Sequence, residues 1–118
     1  MIIEFDLPDK KLSPNNKNGK HWKSTKTIKE KAREDARILT LVAWNNSTKE
    51  ICVDILKITF IYPTKHNRDL DNALASCKAH IDGMSEALGI DDGKFTTMIL
   101  KKEYQKGISK MIFEVRDV

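Results

Sequence analysis

The chain has 118 residues, 40% hydrophobic and 32% charged, with a formal net charge of +4 and a pI near 9.1. That length fits one small domain with its own core and needs no disulfide staples. No apolar run approaches a bilayer span, and Met1 to Asp9 carries acids where a signal peptide carries bases, so the expected location is the cytoplasm and no membrane is expected as partner.

In chain order, Met1 to Leu7 alternates between apolar and acidic residues and predicts a first strand that Pro8 ends. Asp9 to His21 has no periodicity, and its Pro14, Gly19, asparagines and lysines predict a long loop. Loops of this kind in small domains often carry function, which marks Asn15, Asn16, Lys17 and Lys20 as candidates for substrate contact.

A helix is expected from a cap near Ser24 or Thr25 to about Trp44. Ile28, Ala32, Ala36, Leu39 and Ala43 form its apolar stripe, widened by Leu41 and Val42, while Lys26, Lys29, Arg33 and Arg37 recur on another face. From Lys10 to Arg33 there are nine basic residues against Glu30 alone, a net +8 that leaves −4 for the rest of the chain. Such asymmetry suits a polyanion on one face, with Lys23, Lys26, Lys29 and Arg33 as phosphate contacts. A solvated helix face with i,i+4 pairs to Glu30, Glu34 and Asp35 accounts for the same charges equally well.

Ile51 to Tyr62 is the strongest strand, rich in β-branched and aromatic residues. Its apolar phase switches between Ile55 and Leu56, which suggests a bulge or a strand covered on both faces. Thr64 to Arg68 then leads into one continuous helix expected from about Leu70 to Leu88. Along it Leu70, Leu74, Cys77, Ile81, Met84 and Leu88 make a single apolar stripe. Asp71 and Lys78 share an adjoining stripe about 10 Å apart along the axis. Gly83 in mid-helix costs about 1 kcal/mol relative to alanine, so a tight packing contact there is plausible. Cys77 on the stripe and Cys52 in the strand have no metal-type spacing and are expected to be reduced core residues.

Gly89 to Gly93 closes the helix in a polar turn. Phe95 to Tyr104 and Ser109 to Val115 are expected to pair as a β-hairpin. The expected fold is one α+β domain over residues 1–118, ordered β-α-β-α-β-β, with a mixed, mostly antiparallel sheet packed on two helices.

Arg68-Asp69-Leu70-Asp71-Asn72 stands at a strand-to-helix junction. Two carboxylates on one side of a partly extended backbone could hold Mg²⁺, which takes oxygen ligands and keeps several waters. Phosphodiester hydrolysis needs such a cation. Asp91 or Asp92 is the available third acid. Individually, Asp69 or Asp71 reads as a helix cap and dipole partner, and Asp91-Asp92-Gly93 as a turn. Neither role explains why the acids repeat beside Arg68 and Asn72 in a chain with a basic amino-terminal third.

These residues resemble the RusA family of Holliday junction resolvases. The resemblance rests on Arg68-Asp69-Leu70-Asp71-Asn72 heading a helix, Lys78 and Asp82 along it, Asp91-Asp92 after it, and Leu12-Ser13-Pro14-Asn15-Asn16 before a basic helix. It implies a Mg²⁺-dependent homodimeric endodeoxyribonuclease, often prophage-encoded, that nicks four-way DNA junctions symmetrically. By position it implies Asp69, Asp71 and Asp92 as metal ligands and Lys78 as the active-site lysine, with Arg68 beside the DNA. Ala75 stands roughly where the family has that lysine, so Lys78 takes the role across a two-residue insertion. Two other readings use the same residues: a DNA-binding protein that does not cut, and a nuclease for flaps or other branched DNA.

Overall fold

The computed structural model describes residues 1–13, 22–45, 54–90, 93 and 95–116, with the side chains of 22–24 and 45 outside that description. Four strands form one mixed sheet: β1 (Ile2–Phe5), β2 (Ile55–Tyr62), β3 (Thr97–Tyr104) and β4 (Lys110–Arg116). With them are α1 (Trp22–Asn45), α2 (Leu70–Ser76), α3 (Lys78–Leu88) and a 3₁₀ turn at Lys10–Leu12. The class is α+β as expected, with three α-helices among the described residues in place of two.

The strands lie in the order β1-β4-β2-β3, antiparallel between β1 and β4 and between β4 and β2, and parallel between β2 and β3. The expected hairpin does not form. β3 and β4 both exist, but β2 lies between them. The reason is in the side chains: Leu56, Ile58 and Phe60 of β2 are fully buried, so this strand takes an inner position where both of its edges are paired. β3, with Lys101, Lys102 and Glu103, is left at the edge, where charge discourages further pairing. The link at 105–109 steps over the end of β2, where the Gln105 amide donates to the Tyr62 carbonyl. Two inter-strand steps are about 10 Å, within reach of five residues. The ladder from Ile55 to Tyr62 is continuous, so no bulge marks the phase switch there; Ile61 is buried on the face opposite Phe60. Residues 51–53, including Cys52, lie outside the described residues.

The helices cover one face of the sheet. Leu56, Ile58, Phe60, Met111, Phe113, Val115, Ile3 and Phe5 meet Cys77, Ile81, Met84 and Leu88 from α3 and the junction before it. The stripe from Leu70 to Leu88 therefore faces the core as predicted, although the helix breaks at Cys77. The Ser76 hydroxyl donates to the Asn72 and Ala73 carbonyls, and the Cys77 amide bonds back only three residues, to Leu74. Hydroxyl back-bonding of this kind weakens the i→i−4 ladder. Cys77 (φ −103°, ψ 11°) then opens α3, and Gly89 in the left-handed region closes it.

α1 packs chiefly on α3, closest at Gly83, where a Cβ would lie 2.0 Å from the Arg33 carbonyl oxygen. A tight contact, which the sequence makes plausible at that glycine but does not require, is present. Among the described side chains of α1, Ala36 and Thr40 are buried, and the Thr40 hydroxyl donates to the Ala36 carbonyl at 2.7 Å. Leu39 and Val42, expected in the stripe, are exposed together with Ile38 and Trp44. Among the described residues no helix is long and apolar enough to cross a membrane.

Candidate active site

Residues 65–69 carry the chain in non-helical conformation from β2 to α2. Arg68 fixes this segment. Its guanidinium lies 4.1 Å from the centre of the Tyr62 ring, and its two terminal nitrogens donate to the Thr64 carbonyl (2.9 Å) and hydroxyl (3.0 Å). A bidentate clasp over an aromatic ring suits arginine's planar fork. Burial pushes the Tyr62 phenol above its ordinary pKa, and the Arg68 charge works in the opposite direction. The residue expected beside DNA thus also shapes the approach to the two acids.

Asp69 occupies the N-cap position of α2 with extended backbone (φ −87°, ψ 132°), yet its side chain makes no capping hydrogen bond. Among the described residues its carboxylate accepts one weak hydrogen bond, from Asn72 Nδ2 at 3.4 Å. Asp71 lies in the first turn of α2. Both acids are exposed. The extended geometry that would bring residues i and i+2 to one side holds at Asp69 but ends at Leu70, where the helix begins.

A cleft of about 1130 Å³ opens beside the first acid. Asp69, Asn72, Ala73 and Ser76 line it from α2, and Lys10, Lys11 and Ser13 line it from the 3₁₀ turn. Asp71 is not among its lining residues. Asp69 therefore faces the groove on the side of the 3₁₀ turn, whereas Asp71 sits on an exposed part of the same helix end.

Lys78 forms an ion pair with Asp82 at 3.0 Å, one turn along α3. The continuous stripe that placed Lys78 with Asp71 is interrupted by the break at Cys77. A different lysine reaches the acidic segment: Lys102 of β3, opposite Phe60 in the register, donates from Nζ to the Arg68 carbonyl at 2.7 Å. Sequence reasoning passed over Lys102 because only the parallel pairing of β2 and β3 brings it there. It also left Lys10 and Lys11 out of the site.

Asp91 and Asp92, with Asn15, Asn16, Lys17 and Lys20 and the side chain of Lys23, lie outside the described residues. Among the described residues no three His, Cys, Asp or Glu side chains gather closely enough to hold a metal ion. The basic row on α1 is in part paired within the fold: Lys26 with Glu30 at 4.0 Å, Arg33 with Glu86 at 2.9 Å, and Arg37 with Glu34. The Arg37 guanidinium holds the exposed Glu34 carboxyl below its ordinary pKa. Lys29 is exposed.

No family model matches the chain. It is 30% identical over 118 residues to a protein of Xylella fastidiosa (strain Temecula1 / ATCC 700964) described as an uncharacterized protein, a match covering 98% of this chain and 76% of the relative. By that similarity the chain belongs to the same family as the Xylella protein.

Proposed function

We propose that the protein is a Mg²⁺-dependent endodeoxyribonuclease that nicks branched DNA, with four-way junctions as substrate and a homodimer as the working form. The observation that carries the reading is Asp69: it stands at a helix N-cap, lies open to a large cleft, and leaves the capping bond unmade. A carboxylate kept only for capping would accept from the α2 amides. Asp69, Asp71 and Asp92 would hold the ion; as exposed hard-oxygen donors, the first two suit Mg²⁺, which often takes only one or two carboxylates and fills the rest with water and substrate phosphate. When bound, the ion would supply charge for the phosphoryl oxygens and lower the pKa of a water.

The chain's own residues set the stage. Arg68 clasps Thr64 and Tyr62 and so fixes where Asp69 emerges. Lys102 holds the Arg68 carbonyl from behind and brings an ammonium to the acidic segment, the contribution expected of Lys78. The exposed apolar residues Ile38, Leu39, Val42 and Trp44 on α1 support a partnered assembly, and a two-fold enzyme suits two symmetric nicks.

The test is a panel of end-labelled four-way junction, flap and linear duplex incubated with Mg²⁺. The reading expects paired nicks in the junction and little cutting of linear duplex. Preference for the flap would move the substrate class. Binding without cutting in either Mg²⁺ or Mn²⁺ would replace the nuclease with a binding protein.

A further inference from the structure

β2 and β3 run parallel and end together, with Tyr62 opposite Tyr104 in the last register pair. Partners in such a ladder share a sheet face and stand about 5 Å apart, so the two rings leave the sheet side by side. Each carries a cation. The Arg68 guanidinium lies 4.1 Å from the centre of the Tyr62 ring, and the Lys65 ammonium lies 5.1 Å from the centre of the Tyr104 ring. Lys102, two residues before Tyr104 and so on the same face, donates to the Arg68 carbonyl at 2.7 Å.

What holds these three cations sets them apart. Among the described residues their partners are aromatic rings, a hydroxyl and carbonyl oxygens, all uncharged. Other cations meet carboxylates: Lys26 and Arg33 on α1, and Lys57, Lys101 and Lys110 on the sheet. A carboxylate offsets the charge it holds, whereas a neutral partner fixes a charge and leaves it uncompensated. Like charges gathered over adjacent rings repel one another, and an anion among them relieves that repulsion. Lys65 and Lys102 are exposed, and Tyr104 is 44% exposed, which leaves the group open to a large anion. An exposed cation–π contact is weak enough for the ammonium to turn to a phosphate, while the ring limits where it searches. Arg68 leads directly into Asp69 and lines the cleft beside it; Lys65 and Lys102 are not among the lining residues. The three charges therefore carry a positive surface from the cleft outward across the ends of β2 and β3.

We infer that these strand ends hold a backbone phosphate of the DNA outside the cleft, with Lys65 as the binding residue and the Tyr104 ring as its positioning residue. A phosphate suits the group because it accepts from a planar guanidinium and from the point charge of an ammonium together. The inference rests on the proposed function only for DNA as the ligand. Each phosphate contact contributes about 0.7–0.9 to the slope of log affinity against log salt.

The experiment measures fluorescence anisotropy of a labelled four-way junction in EDTA, where cutting cannot intervene, across a salt series. Lys65→Ala should lose about 0.7–0.9 from the slope and roughly three- to tenfold in affinity near about 0.1 M salt. Lys65→Arg should restore both. Lys57→Ala removes the same charge from a pair with Glu114 on the opposite sheet face, and should leave the slope within about 0.3 of wild type. Tyr104→Leu should weaken binding roughly two- to fivefold, and Tyr104→Phe, which keeps the ring, should bind as wild type does. Circular dichroism melts confirm that each variant is folded. An unchanged slope in Lys65→Ala, an equal loss in Lys57→Ala, or wild-type binding by Tyr104→Leu overturns the inference and leaves the nuclease standing. A wild-type protein that binds no junction overturns both. Binding through Lys65 without cutting in Mg²⁺ or Mn²⁺ keeps the phosphate site and overturns only the nuclease.

Discussion

Gly83→Ala tests the packing that sets the helical layer over the sheet. A Cβ on residue 83 would lie 2.0 Å from the Arg33 carbonyl oxygen, 2.9 Å from its carbon and 3.1 Å from the Ala36 Cβ. Two of these atoms are backbone, so no side chain can turn away, and the helices must part by more than an ångström to reach ordinary contact. A gap of about 0.5–1 Å already forfeits a quarter to a half of the dispersion energy of the atoms facing it. Overpacking of this kind costs about 1–3 kcal/mol. Against that, alanine gains up to about 1 kcal/mol over glycine within a helix. A 2.0 Å approach to a backbone atom puts this case at the upper end of the overpacking range, so the net loss should be about 2 kcal/mol, which for a chain of this size lowers Tm by roughly 6–10 °C. Thermal melts by circular dichroism and urea titration measure it. A variant as stable as wild type, or more stable, would refute the close crossing of α1 and α3.

Three further outcomes follow from particular side chains. Lys102→Ala should lower junction cleavage at least about tenfold while moving Tm by less than about 4 °C, since the lost bond to the Arg68 carbonyl is exposed; full activity would show that the lysine only props the backbone. His80 is buried against Phe5, its Nδ1 has no hydrogen-bond partner among the described residues, and burial lowers its pKa below 6.5 while Asp35 opposes the shift. Because the unfolded chain then binds the extra proton first, stability should fall as pH drops below about 6.5 towards the lowered folded value, and His80→Gln should flatten that part of the urea-midpoint profile. Cys77 is fully buried and its thiol is pushed up to about 12, so in a Cys52→Ser background alkylation by iodoacetamide at pH 8 should await unfolding. Rapid labelling of the native protein would contradict that burial.

Where local pattern decides structure, the sequence could be read directly. Leu70, Leu74, Cys77, Ile81, Met84 and Leu88 face the core as their spacing requires, and the glycine among them marks the helix crossing. The break at Cys77 left no trace in that pattern, because it comes from hydroxyl bonding at Ser76, which leaves the apolar spacing unchanged. The hairpin failed for a different reason. Adjacent strands usually pair, but the charged β3 and the more apolar β2, with Leu56, Ile58, Phe60 and Ile61 buried, competed for one inner position, a contest settled by burial across the whole sheet. At the site, the acids were legible at once and their surroundings were not. Arg33 meets Glu86 from 53 positions away, and Lys102 reaches Arg68 across 34, so neither pairing could be inferred from spacing. The unmade cap at Asp69 could be found only from its geometry.

The most direct test of the central claim is single-turnover cleavage of a labelled four-way junction across a Mg²⁺ series, with wild type beside Asp69→Asn and Asp71→Asn, each checked for unchanged Tm and junction affinity. Loss of a carboxylate ligand should cost at least about a hundredfold in rate, and cutting by wild type should vanish in EDTA. Equal rates in all three proteins, or cutting that ignores EDTA, would contradict the assignment of Asp69 and Asp71 as the centre of a metal-dependent phosphodiester site.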